Sequence, residues 1–80
     1  MKARVHVSLK AGVLDPEGKA IAQALDRLGF TGVEDVRKGK FFDLEISHTD
    51  RARAEADLTA MCEQLLANTV IESYAIEIAP

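Results

Sequence analysis

Val5, Val7 and Leu9 alternate with Arg4, His6 and Ser8, the period of two of a strand with one buried and one open face. A strand is predicted over residues 3–9. After a loop through Gly12, Asp15 suits a helix N-cap and Pro16 the first helical position, where a missing N–H costs nothing. Ile21, Ala24, Leu25 and Leu28 then recur at helical spacing, and Gly29 supplies a left-handed stop with Phe30 folding back on Leu25. Residues 33–38 and 41–47 read as two further strands, joined by a tight hairpin at Lys38, Gly39 and Lys40 in which glycine takes positive φ. Phe42, Leu44 and Ile46 share one face of the second of these, whereas Val33 and Val36 break strict alternation and suggest a bulge. Thr49 or Asp50 opens a second helix that carries Ala54, Leu58, Met61, Cys62 and Leu65 at helical spacing, with Asn68 as its left-handed stop. Residues 70–78 form the last strand, and Tyr74, Ile76 and Ile78 lie on its apolar side.

The order βαββαβ, with each helix crossing between parallel strands, predicts an α+β, ferredoxin-like sandwich. It has a four-stranded antiparallel sheet with two helices on one face, and residues 1–80 form a single domain. The far face of the sheet is then polar and mixed in charge, built from Arg4, His6, Ser8, Phe41, Asp43, Glu45, Ala75 and Glu77. One aromatic ring there is no base-stacking platform, which sets aside an RNA-recognition use of this fold.

Composition narrows the picture further. Eighty residues, 48% of them apolar, support one modest core, and chains of this size gain stability from disulfides, metals or association. A single cysteine, Cys62, rules out an internal disulfide and a zinc pattern, and fits a reducing cytosol. Association is the route left. A net charge of −3 argues against a nucleic-acid backbone or an anionic membrane as partner. No apolar run reaches the roughly 20 residues of a membrane span, so a cytoplasmic location is expected.

Candidate chemistry is sparse. His6 and His48 lack carboxylates or thiols at ligand spacing, and Cys62 sits on the apolar stripe of the second helix as a core thiol. The two glycines before the first helix match neither a dinucleotide fingerprint nor a phosphate loop, and Asp15 puts negative charge where a phosphate belongs. Arg51 and Arg53, at the start of the second helix, are offset by Glu55 and Asp57 and read as a solvated face. Arg37, Lys38 and Lys40 make the one compact basic run.

The segments VSLKAGVLDPEGKAIAQALDRLGF, VEDVRKGK and MCEQLLANTVIESY, in this order and at this length, resemble the PurS family, the small subunit of phosphoribosylformylglycinamidine synthase. Thr69 departs from the proline that many relatives carry after LLAN. The resemblance implies a ferredoxin-like, non-catalytic adaptor that forms a dimer or tetramer and joins a synthetase subunit, PurL, to a glutaminase subunit, PurQ. It implies support of ammonia transfer in the ATP- and glutamine-dependent conversion of formylglycinamide ribonucleotide to formylglycinamidine ribonucleotide, in purine synthesis. ATP and magnesium belong to the synthetase, so no cofactor, metal or catalytic residue is expected in this chain. The expected contact surfaces are Leu14, Asp15, Pro16, Glu17 and Gly18 together with Asp35, Val36, Arg37, Lys38, Gly39 and Lys40. The rival reading is an ACT-like regulatory module that binds a small molecule at a dimer interface. An acylphosphatase-like enzyme would need an arginine in an anion-cradling loop after strand one, and residues 10–15 hold none.

Overall fold

The alternation at the start of the chain sets the centre of the structure. In the computed structural model, which describes residues 1–79, β1 (Lys2–Leu9) is the middle strand of an antiparallel sheet. It is flanked by β2 (Gly39–Glu45) and β3 (Glu72–Ala79) in the order β2-β1-β3. Val5 pairs with Phe42 on one side and Ile76 on the other, so the apolar residues of all three strands line one face. Helix α2 (Arg51–Met61) covers that face, and Ala54, Leu58 and Cys62 close over Ala3, Val5 and Val7. Phe42 and Leu44 on β2, Ile46 just after it, and Tyr74, Ile76 and Ile78 on β3 flank this core half-buried.

Helix α2 begins where Asp50 accepts the Ala52 N–H at 3.0 Å, as an N-cap should. It ends in a widened π-helical turn, Cys62–Leu66, closed by the Ala67 N–H to the Cys62 carbonyl at 3.0 Å. Asn68 is not the left-handed stop that was expected. Positive φ among the described residues is confined to Gly29 and Gly32, at 96° each. Asn68 shapes the following turn instead, accepting the Val70 N–H on its side chain and those of Ile71 and Glu72 on its carbonyl.

Helix α1 (Pro16–Arg27) forms as the local code dictates. The Asp15 carboxylate caps it through the Gly18 N–H at 2.9 Å. Its C-terminus closes with Phe30 N–H to Leu25 and Gly29 N–H to Asp26, both 3.0 Å, the double bond of a Schellman stop around a left-handed glycine.

Its placement corrects the sandwich expectation. Helix α1 stands off the sheet instead of sharing a face with α2, leaving Leu28 72% and Phe30 60% exposed. Residues 33–38 form no strand; they return from the Gly29 and Gly32 turn towards β2 without a sheet partner. The sheet therefore has three strands, and the hairpin at Lys38, Gly39 and Lys40 is absent because Gly39 and Lys40 already belong to β2, opposite Ser8 and Val7. Alternation identifies the face of a strand but not whether a neighbour in the same chain supplies its partner. The shape follows. The chain extends 49 × 26 × 14 Å with a radius of gyration of 16.1 Å, whereas a compact domain of this length has a radius of about 12 Å.

Candidate subunit contact surface

The two blocks singled out from the sequence meet at the joint between the sheet and the α1 arm. Asp15, only 6% exposed, uses one carboxylate oxygen to cap α1 and the other to accept the Lys38 N–H at 2.7 Å. A helix cap thus becomes a tie between segments far apart in sequence. Gly18 is the matching close approach, since a Cβ there would lie 2.0 Å from the Val36 carbonyl oxygen. Arg37 completes the joint with a single Nη2 that donates to the carbonyls of Lys10 at 2.9 Å, Val13 at 3.0 Å and, more weakly, Leu9 at 3.4 Å. Lys38 pairs with Glu17, and Lys40 lies 3.9 Å from Glu72 across the sheet end.

These contacts set the electrostatics. The Gly18 and Lys38 amides, helped by the nearby Arg37 and Lys38 charges, hold the Asp15 carboxyl below the usual carboxylate range. Its hydrogen bond with Glu17 raises the Lys38 ammonium. Asp15 and Gly18 are therefore spent on holding the joint together. Leu14, 70% exposed, and Pro16, Glu17, Asp35, Lys38, Gly39 and Lys40 are displayed around it, while Val36 is half-buried. A shallow cleft of 310 Å³ between Pro16, Glu17, Lys38, Lys40 and Glu72 runs along this end of the sheet.

The open sheet face is built as the alternation predicts. Arg4 grips Asp43 directly opposite through two bonds of 2.7 and 3.0 Å, and its guanidinium lies 4.3 Å over the Phe41 ring. His6 is 3.5 Å from Glu77. Arg51 pairs with Glu55 one turn along α2. Cys62 is fully buried, and burial pushes its thiol up, away from reactive thiolate.

One polar pair was not foreseen. His48 Nε2 meets Asp57 Oδ2 at 2.6 Å, tying the loop after β2 to α2, and the other ring nitrogen is buried without a partner. The spacing of nine residues between a loop and a helix carries no periodic signal. Among the described residues no cluster of three or more metal-ligating side chains forms, and no helix is long and apolar enough to cross a membrane.

A displayed joint, an arm with exposed apolar residues and a polar open face describe a surface for other chains. The family profile described as PurS, phosphoribosylformylglycinamidine (FGAM) synthase, matches residues 2–80. The chain belongs to the PurS family. The PurS subunit of Mycobacterium leprae is 55% identical over 75 residues, covering 94% of this chain and 91% of that one. Bacillus subtilis PurS, solved in a C2 crystal form, superposes with a TM-score of 0.89 at 47% identity, covering 99% of this chain and 98% of the other. A chain of the PurLQS structure from Thermotoga maritima gives a TM-score of 0.88 at 30% identity over 95% of this chain and 93% of its own length. The likeness to these PurS chains covers the arm as well as the sheet.

Proposed function

We propose that this chain is the small, non-catalytic PurS subunit of phosphoribosylformylglycinamidine synthase. It acts as a cytoplasmic adaptor that joins the synthetase and glutaminase subunits so that ammonia passes between them. The observation that carries this reading is the joint. A buried carboxylate, an obligatory glycine and a triply bonded arginine hold an amphipathic helix, with Ile21 exposed along it and Leu28 and Phe30 exposed at its end, away from the chain's own core, where another chain can cover it. A solitary domain gains nothing from such an arrangement, because exposed apolar side chains forfeit the burial that stabilises a small fold.

In this reading residues 1–80 work as one unit, in a homo-oligomer. ATP and magnesium are handled by the synthetase. The displayed residues of the joint, Leu14, Glu17, Asp35, Lys38 and Lys40, are the proposed contacts with the partner enzymes, and the chain contributes no reacting group.

Reconstitution tests this. The chain is co-expressed with the synthetase and glutaminase of its own organism, the complex is purified, and turnover is measured with glutamine and with ammonium as nitrogen source. Omission of the chain is expected to abolish co-purification and glutamine-driven turnover while sparing ammonium-driven turnover. Unchanged glutamine-driven turnover without it would reject the adaptor role.

A further inference from the structure

The joint leaves one of its cations without a counter-charge. Lys38 pairs with Glu17 and Lys40 faces Glu72, but no carboxylate pairs with Arg37 among the described residues. The carboxylate near it, Asp15, already accepts the Gly18 and Lys38 amides, one on each oxygen. Arg37 instead turns a single nitrogen, Nη2, towards the carbonyls of Leu9, Lys10 and Val13. Its Nε–H and the N–H groups of Nη1 make no bond within the chain among the described residues, and the residue is exposed. A guanidinium holds its donors in a rigid planar fork, so one that spends a single nitrogen inward still presents the others outward.

Leu14 stands next to this cation. The Val13 carbonyl that Arg37 holds at 3.0 Å belongs to the peptide bond leading into Leu14, which is 70% exposed. The loop that carries it is fastened. Val13 N–H closes a turn on the Lys10 carbonyl at 2.9 Å, Lys10 N–H is bonded to the Ile71 carbonyl at 2.9 Å, and the buried Asp15 fixes the far end. A lone exposed leucine needs no explanation. One held on a loop tied at both ends and at its middle is different, because its ordering cost is met before any partner arrives.

We propose that Leu14 and Arg37 form a composite anchor for a partner enzyme, whose matching site is an apolar socket with a carboxylate at its rim. Leu14 fills the socket, and Arg37 donates its outward N–H groups to the carboxylate while Nη2 keeps the loop in shape. The charge-assisted pair is directional and sets the angle of approach, and the leucine supplies apolar burial. The charge pattern selects this counterpart. Lys38 and Lys40 are neutralised within the chain, so Arg37 is the cation of the joint that is left to be matched from outside. The anchor rests on the adaptor reading and names the chemistry that the partner has to bring.

The test titrates the full chain into the purified synthetase and glutaminase and reads affinity by fluorescence anisotropy across a salt series. Leu14→Ala, at an exposed site, is expected to weaken binding about 10-fold with the amide spectrum of the sheet unchanged. Arg37→Ala is expected to weaken it about 30-fold or more and to flatten its dependence on salt, a change that loosening of the loop alone would not produce. Wild-type affinity in Leu14→Ala would overturn the proposal. So would an Arg37→Ala chain that binds more weakly with undiminished salt dependence, since Arg37 would then be a structural tether only. A fall in the chain's own oligomeric mass by light scattering in either variant would overturn it as well, because the anchor would then face a second copy. Failure here is separable from failure of the adaptor role. A wild-type chain that binds neither enzyme rejects the adaptor, whereas a wild-type chain that binds, with variants that bind equally well, rejects the anchor alone.

Discussion

Val5, Val7, Leu58 and Cys62 at the centre of the sheet body have essentially no exposed surface, whereas Leu28 and Phe30 at the far end of the arm are open to solvent. The body is held by tertiary packing: three strands and α2 bury a common face, and α2 gains its stability from what it covers. The arm is held by local chemistry. An N-cap, a proline at the first position and a Schellman stop determine where α1 begins and ends, and one hydrogen-bonded joint determines where it points. A helix of this length is marginal alone in water, so such caps locate it without making it secure. Within the chain its further support is limited to the Asp15 joint and to Gly18, Ala22 and Leu25, its least exposed positions.

Substitutions in the two regions should therefore behave differently. The largest effect is expected in the body. Leu58→Ala empties a fully buried site under β1 and should cost about 2 to 5 kcal/mol in urea unfolding. A cost within error of zero would mean that α2 does not hold the core. Gly18→Ala comes next. It forces a methyl group into the Val36 carbonyl and should cost about 1 to 3 kcal/mol as an overpacked contact. Because the strain falls on the joint, the arm should also lose its direction, seen as faster hydrogen exchange at the Lys38 amide. Wild-type exchange at that amide would show that the joint tolerates the extra volume.

The third effect depends on pH. Asp15 and Asp43 are both held below the ordinary carboxylate range, the first mainly by backbone amides and the second mainly by Arg4. A carboxylate whose folded pKa is depressed adds stability above its unfolded pKa, about 3.9, and loses it as pH falls through the lower folded value. Thermal melts in an acid series should show Asp15→Asn flattening that decline. A variant as acid-sensitive as the parent would remove Asp15 from the account. The smallest effect is expected at Leu28. Leu28→Ala should change unfolding of the dilute single chain by about 0.5 kcal/mol or less, yet weaken self-association measurably by light scattering. A large loss in the dilute chain would place Leu28 in a core of its own.

Much of the body was legible in the residue pattern. The faces of β1, β2 and β3, the core positions Ala54, Leu58 and Cys62 and the cap at Asp15 all follow from periods of two or 3.6 and from side chains that bond neighbouring amides, whereas Leu65, expected on the same stripe, is 83% exposed because the wide turn at Cys62–Leu66 carries it off the core face. The open face was legible for the same reason, down to Arg4 opposite Asp43. What lay beyond the pattern is long-range. Val33 and Val36 carry strand character, but whether they pair within the chain depends on where the joint sends the arm. That joint is a bond from Asp15 to an amide 23 residues away. Gly39 was read as a turn glycine, yet it is needed because a Cβ would meet the Val7 carbonyl at 2.8 Å. The contact blocks were found by their resemblance to a family. Their chemistry as a structural joint became visible only in three dimensions, as did the His48 to Asp57 tie.

The wide turn at Cys62–Leu66 acts as a phase corrector for the chain. An ordinary helix advances about 100° per residue, so one extra residue accommodated there keeps Cys62 aimed into the core and still lets Ala67 be buried where the backbone straightens towards β3. Trimming one residue from that turn would leave a regular helix whose end is turned by about 100°, carrying Ala67 out of its buried position.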